Sequence, residues 1–243
     1  MRDFHGKTYW LVGASEGLGA ALAHKLSAAG ADLVLSARNA DSLRKLAFEL
    51  PGNANVLPVD VTDEISVQSA ASKLKKLDGM VYLAGAYWPM DAKAWDTEKA
   101  LAMIDVNLSG AVRVVGAVLP KFRRERNGHI VLTGSLASFR GLPASVGYSA
   151  SKAGLASLAE TMKIDLKGTG IKVQIAHPGF IRTRLTDKNT FSMPSLMETE
   201  TAAEYMFQAI RRRRFATSFP TGFALLMRSL QFFPNVLYFR LFA

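Results

Sequence analysis

The 243-residue chain contains no cysteine. Disulfide scaffolds, zinc–thiolate sites, iron–sulfur clusters and thiol nucleophiles are therefore excluded, and the composition fits a reducing compartment. Its histidines, His5, His24, His129 and His177, are scattered without metal-ligand spacing, so no metal site is expected. Long apolar runs are missing too: no stretch offers the ~20 uninterrupted apolar residues of a membrane-spanning helix. Near the N-terminus, Asp3, His5 and Lys7 break up any basic region, and the apolar run 9–12 is too short for a secretion signal. The expected location is the cytoplasm. The low hydrophobicity of a disordered chain is also absent, because 49% hydrophobic and 21% charged residues make an ordinary globular composition. At this length a single domain spanning 1–243 is expected, with a core that needs no covalent staples.

What is present is an alternation of short apolar runs with longer helical patterns. Strands are expected at 8–12, 32–36, 55–59, 79–84, 129–133 and 172–176. Helices are expected at 18–29, 41–50, 63–75, 96–105, 108–124 and 149–167. Apolar strands separated by helices mean a parallel sheet covered on both faces, a doubly wound α/β fold of Rossmann type. Such sheets bind ligands beyond the carboxyl ends of their strands. No linker, repeat or low-complexity segment interrupts the pattern.

Three motifs carry chemistry. Gly13-Ala14-Ser15-Glu16-Gly17-Leu18-Gly19 follows the first strand and opens the first helix. Glycines there permit a sharp turn and a close approach of backbone to a pyrophosphate, while the helix N-terminus offers free N–H groups. At the end of the second strand stands Ser36-Ala37-Arg38. An acid in this place would accept the adenosine ribose hydroxyls; a guanidinium instead suits a 2′-phosphate, so NADP(H) is expected over NAD(H). The third motif is Tyr148-Ser149-Ala150-Ser151-Lys152, whose tyrosine and lysine, four apart, share a helix face. An ammonium beside a phenol favours the phenolate and would bring the tyrosine pKa down. Ser135, just past the strand at 129–133, belongs at the same sheet edge, and Asn107 falls at the junction of two helical segments.

With Asp60-Val61, Ala84-Gly85 and Pro178-Gly179 followed by Thr183, these motifs resemble the short-chain dehydrogenase/reductase family in its single-domain form. The resemblance covers roughly residues 6–210, in the family's order and spacing. It implies that Tyr148 is the general acid/base, that Ser135 polarises a substrate carbonyl, and that Lys152 binds the nicotinamide ribose and depresses the Tyr148 pKa. It further implies that Asn107 holds a water in the proton relay and that Asp60 and Val61 line the adenine pocket. Ala84 and Gly85 would border the cofactor, and Pro178, Gly179, Ile181 and Thr183 would contact its nicotinamide end. The chain departs from the family at Val12, where threonine is usual, and at Tyr82-Leu83, where asparagines are usual. Glu16 stands where NADP-preferring members often carry a basic residue, which leaves Arg38 to secure the phosphate.

Tyr87 and Trp88 follow the fourth strand and are candidates for the substrate pocket. The long connection 180–200 carries Phe180, Phe191, Met193 and Leu196 and reads as a substrate lid, which suggests an apolar substrate. His177 reads as a packed, hydrogen-bonded residue.

Charge of one sign is missing from the end of the chain, where no acid follows Glu204. Arg211, Arg212, Arg213, Arg214, Arg228 and Arg240 account for six of the ten surplus positive charges. Segment 215–243 reads as a hydrophobic helical extension broken at Pro234, with Phe223, Leu226, Met227, Leu230 and Phe233 on one face. Such a segment suits a membrane surface, a contact with a second subunit, or a cap over the active site. Nothing resembles a nucleic-acid recognition motif. The resemblance also implies a homodimer or homotetramer. The expected activity is hydride transfer between NADPH and a carbonyl or alcohol, with a lipophilic ketone or aldehyde as substrate. The alternatives are a non-catalytic NADP(H)-binding redox sensor and a membrane-surface scaffold of the same fold.

Overall fold

A computed structural model describes residues 1–242; Ala243, the last residue of the expected extension, lies outside the described residues. The elements run β1 Thr8–Val12, α1 Gly17–Ala28, β2 Asp32–Ser36, α2 Ala40–Glu49, β3 Ala54–Val56, α3 Glu64–Ser72 and β4 Gly79–Tyr82. They continue with α4 Thr97–Ile104, α5 Gly110–Glu125, β5 Gly128–Thr133, α6 Val146–Asp165, β6 Ile171–Pro178, α7 Thr199–Arg211 and β7 Ala216–Phe219. Helices α8 Thr221–Ser229 and α9 Asn235–Phe242 close the described chain. All seven strands are parallel, in the order β3-β2-β1-β4-β5-β6-β7. The direction of winding reverses between β1 and β4, and a crevice opens beyond the strand ends at such a reversal.

The strands form because their apolar runs can be buried on both faces. β5 is buried throughout, and Trp10, Leu11, Met80 and Val81 are sealed in the middle of the sheet. One core lies between the sheet and α3, α5 and α6, with Val67, Val114, Phe122 and Leu155. The other lies between the sheet and α1, α2 and α7, with Leu22, Leu26, Leu43 and Met206. The continuous helical stretch Thr97–Glu125 is long and apolar enough, by length and composition, to cross a membrane. Its apolar side chains Met103, Val114, Val118 and Phe122 are buried in this fold, which accounts for their character.

Several expected boundaries are corrected. β3 stops at Val56, beyond which the Leu57 carbonyl accepts from the Ser36 hydroxyl at 2.6 Å. β4 ends at Tyr82, where Leu83 and Ala84 both turn their N–H groups onto the Val12 carbonyl. Helix α6 begins at Val146, three residues before the expected start, so Tyr148 sits within its first turn. Between α4 and α5 there is no break: the chain widens into a π-helical turn over Asp105–Ser109. Helix α7 was not expected, and the 180–200 connection gives way to it at Thr199.

The largest correction concerns the tail. Residues 215–219 are not part of a helical extension, because β7 pairs with β6 from Ile175↔Ala216 to Pro178↔Phe219. Its entry is fixed by Gln174, a buried residue of β6 whose amide donates to the carbonyls of Ala209, Arg212 and Arg214 at 3.2, 2.8 and 2.6 Å. The expected apolar face is also only half right. Leu230 is buried, and Phe223 and Met227 are partly covered, but Leu226 and Phe233 face solvent.

The Gln174 carboxamide oxygen meets His129 Nε2 at 2.6 Å, and His129 Nδ1 meets the Tyr9 hydroxyl at 2.9 Å. Burial holds the His129 imidazole down to about 3, with Arg2 adding to the effect. His177 is held down to about 4, chiefly by burial. The unfolded chain therefore binds protons on these two rings below about pH 6.5 while the folded chain does not. Stability must fall as pH drops from 7 toward 4, with each ring contributing up to about 1.4 kcal/mol per pH unit. Urea unfolding at pH 7 and pH 5 should show this slope, and His129→Gln should make it shallower.

Candidate functional site

Every strand that carries a candidate residue delivers it to the carboxyl edge of the sheet. The turn after β1 holds Gly13 at φ +95° and Gly17 at φ +54°, both in the left-handed region. A Cβ on Gly13 would lie 2.3 Å from the Ala84 nitrogen, and one on Gly19 would lie 2.1 Å from the Gly13 carbonyl oxygen. A side chain at Gly13 would force the β1 and β4 turns apart, and one at Gly19 would push the start of α1 off the β1 turn. A Cβ on Gly17 would approach the Thr183 methyl group at 3.1 Å, so the turn also lies against the start of the 180–198 connection. The bare backbone of this turn and the following α1 N-terminus make a cradle suited to a phosphate group. Ser15 and Leu18 lie within it, between the glycines.

Arg38, just past β2, is exposed, and its charge acts on Asp60 past β3. Burial pushes the Asp60 carboxyl up, but hydrogen bonds from the Thr62 N–H and hydroxyl at 2.9 and 2.8 Å, with Arg38 and Arg113 nearby, leave it below its ordinary value. Val61, next to Asp60, is buried against Gly110.

Asn107 is fully buried in the π-helical turn. Its side-chain oxygen accepts from the Ala86 N–H at 2.7 Å, and its amide donates to the Ala86 carbonyl at 2.9 Å and to Ser151 Oγ at 3.0 Å. The side chain thus ties the segment after β4 (Ala84, Gly85, Ala86) to α6. Ser135, just past β5, caps a short 3-10 turn over Leu136–Ser138, with its hydroxyl accepting from the Ala137 N–H at 3.1 Å.

Tyr148 and Lys152 share the buried face of α6 beside Ser135. Burial pushes the Tyr148 phenol up from its ordinary value, and a hydrogen bond with Ser135 opposes this. The expected depression by Lys152 is corrected. The Lys152 ammonium lies 5.8 Å from the Tyr148 ring centre and donates instead to the Thr133 carbonyl at 2.8 Å. Burial brings Lys152 itself down to about 8. Desolvation outweighs charge–charge attraction for both groups.

The walls above this cluster are aromatic. The Tyr87 ring meets the Tyr148 ring edge-on at 5.0 Å. The Tyr87 hydroxyl donates to Asn189 Oδ1 at 2.7 Å, and Lys188 donates to the Tyr87 carbonyl at 2.7 Å. Trp88 carries the Lys188 ammonium over its ring at 4.3 Å, so that face is covered by the connection after β6. Phe180 packs against Phe191 at 5.9 Å and Phe223 at 6.0 Å. Pro178 ends β6, Gly179 lies against Leu136 and Phe223, and Ile181 is buried. His177 meets the backbone of Ser135 and not its hydroxyl: its Nδ1 lies 3.1 Å from the Ser135 carbonyl, as in a packed residue.

The short chain dehydrogenase family model matches residues 7–193. The chain belongs to that family. An uncharacterized oxidoreductase of Myxococcus xanthus is 36% identical over 98% of this chain and 97% of its own length. A 3-oxoacyl-(acyl-carrier-protein) reductase of Thermotoga maritima is 33% identical over 75% of this chain and 77% of its own. Among solved structures, a short-chain dehydrogenase of Burkholderia cenocepacia in complex with NADP aligns over the whole of both chains, with a TM-score of 0.87 at 23% identity. One of Sphingobium yanoikuyae in complex with NADPH covers 92% of each chain, with a TM-score of 0.83 at 26% identity. As a short-chain dehydrogenase, this protein is an NAD(P)-dependent oxidoreductase acting on CH–OH or C=O groups.

Two long-range pairings hold the candidate site together. Ser151 supports Asn107 from α6, and Arg184 Nη2 pairs with Glu16 Oε1 at 2.5 Å, joining the connection after β6 to the glycine turn. Neither partnership follows a local spacing, since 44 and 168 residues separate the partners. Asn107→Ala would strip two backbone groups of Ala86 and the Ser151 hydroxyl of a partner. The expected cost is at least about 2 kcal/mol of unfolding free energy, with faster hydrogen exchange at the Ala86 amide; urea titration and exchange measurements check both.

Proposed function

We propose that the protein is an NADP(H)-dependent reductase of lipophilic ketones or aldehydes, with Tyr148 as general acid/base. The observation that carries this reading is the closed cluster of Tyr148, Ser135 and Lys152 at the carboxyl edge, bordered by Asn107. Burial raises the Tyr148 phenol, so it carries its proton at neutral pH and has one to give to a carbonyl oxygen beside it. The Ser135 hydroxyl, next to the phenol, orients and polarises that carbonyl. Lys152, on the same helix face, holds a ribose hydroxyl and offers its positive charge to the phenolate left behind. Asn107 keeps the segment after β4 fixed to α6 and holds a water in the proton relay.

The cradle at Gly13, Ser15, Glu16, Gly17, Leu18 and Gly19 fits a dinucleotide pyrophosphate. Asp60 and Val61 line the adenine side, with Ala84 and Gly85 beneath. Pro178, Gly179, Ile181 and Thr183 border the nicotinamide end. Once bound there, the cofactor supplies the hydride. Arg38 is exposed at the end of β2, free to meet a 2′-phosphate, and Ala37 beside it adds no repelling charge. The pairing of Glu16 with Arg184 neutralises the one acid in the turn, which supports NADP(H) despite that residue. Tyr87, Phe180 and Phe191 give the substrate side an apolar wall, whereas Trp88 serves as the anchor for Lys188.

Tyr148→Phe should lower NADPH-dependent reduction of an apolar ketone by about 10²–10⁴-fold, the usual worth of a general acid, with cofactor binding retained. Activity surviving in that variant would remove Tyr148 from its role. Arg38→Asp should raise the KM for NADPH by about tenfold or more and leave that for NADH unchanged or lower, the loss expected of a charged hydrogen bond. Equal use of both cofactors by the native chain would overturn the assignment of Arg38.

A further inference from the structure

The tail beyond β7 is held in place by polar contacts and displays its apolar side chains. Arg140, in the loop after the Ser135 turn, donates to the carbonyls of Leu230 and Phe233 at 2.6 and 2.7 Å and to Asn235 Oδ1 at 2.8 Å. The same guanidinium stacks 3.7 Å over the Tyr238 ring, and the Tyr238 hydroxyl donates to the Gly141 carbonyl. These contacts, with buried Ala224 and Leu230, clamp α8 and α9 to the body. On the other side Leu225, Leu226, Phe232, Val236, Leu237 and Phe239 stand in water, from 56% exposed at Leu237 to 79% at Phe232. A patch of this kind marks an interaction site.

The charges decide what covers it. Segment 221–242 contains Arg228 and Arg240, both exposed, with Arg228 at the edge of the patch 6.0 Å from the Phe139 ring centre, and no acid. The four-arginine run 211–214 does not belong to the patch, because β7 separates it from the tail by the length of the strand, about 13 Å. A second copy meeting this face about a two-fold axis would set the patch against itself, with no acid in the segment to pair with its arginines. An anionic lipid surface supplies both missing partners: hydrocarbon for the leucines and phenylalanines, and headgroup charge for the arginines.

We infer that α8 and α9 form a docking face for an anionic membrane surface, lying in the interface without crossing it. Phe223, on the inner side of α8, stacks on Phe180, so the docked face adjoins the connection that walls the candidate cleft. The binding itself needs no catalysis and stands apart from the proposed reaction.

The experiment is co-sedimentation of the full chain with vesicles of phosphatidylglycerol and phosphatidylcholine in equal parts, beside vesicles of phosphatidylcholine alone. The chain should bind the mixed vesicles, bind the neutral ones several-fold less, and lose the difference at high salt. Phe232→Ser with Phe239→Ser should weaken binding to mixed vesicles by about tenfold or more, with the thermal transition unchanged because both side chains are exposed. Arg228→Glu with Arg240→Glu should abolish the preference for the mixed vesicles. The inference is overturned if the chain ignores the mixed vesicles or if the double phenylalanine variant binds them as the native chain does. It is equally overturned if sedimentation shows a dimer that Val236→Glu with Leu237→Glu splits, since a second copy would then cover the face.

Discussion

The turn between β1 and α1 has no room for side chains, and the rest of the site depends on that. With Gly13 against the Ala84 backbone and Gly19 against the Gly13 carbonyl, the loops after β1 and β4 pack nearly backbone to backbone. This contact falls where the winding of the sheet reverses, so the crevice that the topology opens is floored by peptide groups. An alanine at Gly13 would wedge the two loops apart, and one at Gly19 would tilt the start of α1 away from the turn. The position of the phosphate cradle, and through Ala84 to Ala86 the position of Asn107, rest on the same close approach.

From that floor outward, burial governs the electrostatics. Lys152, His129 and His177 lie away from water and Tyr148 is half-buried, and in each the neutral form gains. For the two histidines this is a structural matter, since their rings satisfy Gln174, Tyr9 and the Ser135 carbonyl. For the tyrosine it holds the phenolic proton in place, and for the lysine it favours the uncharged amine. The same physical effect thus stiffens one part of the sheet and prepares chemistry in another.

Much of this was legible in the residues. The alternation of apolar runs and helical patterns set out six of the seven strands, because strands buried on both faces leave an unmistakable apolar signature. The glycine turn, Arg38, Ser135, Tyr148 and Lys152 could be read because each follows a strand end or shares a helix face by local spacing. β7 escaped because Ala216 to Phe219 is short and partly exposed, and is held by Gln174 across 40 residues of sequence instead of by a pattern of its own. The outward turn of Leu226 and Phe233 escaped for a related reason. Helical periodicity groups residues on a face, but it takes the Arg140 clamp, far away in the chain, to choose which face is turned inward. The pull of Lys152 on Tyr148 was misjudged because four-residue spacing brings two side chains to one face without fixing where their tips point.

The outer strands have a consequence for how this molecule meets its surroundings. β3 is three residues long and is followed closely by Pro58, and β7 is four residues long and ends against Pro220. Neither flank of the sheet offers a long row of free peptide groups on which a foreign strand could grow. A protein with so many apolar side chains turned outward would otherwise be a candidate for strand-by-strand aggregation. Here any adhesion is confined to side-chain contact, which is reversible and can be tuned one residue at a time.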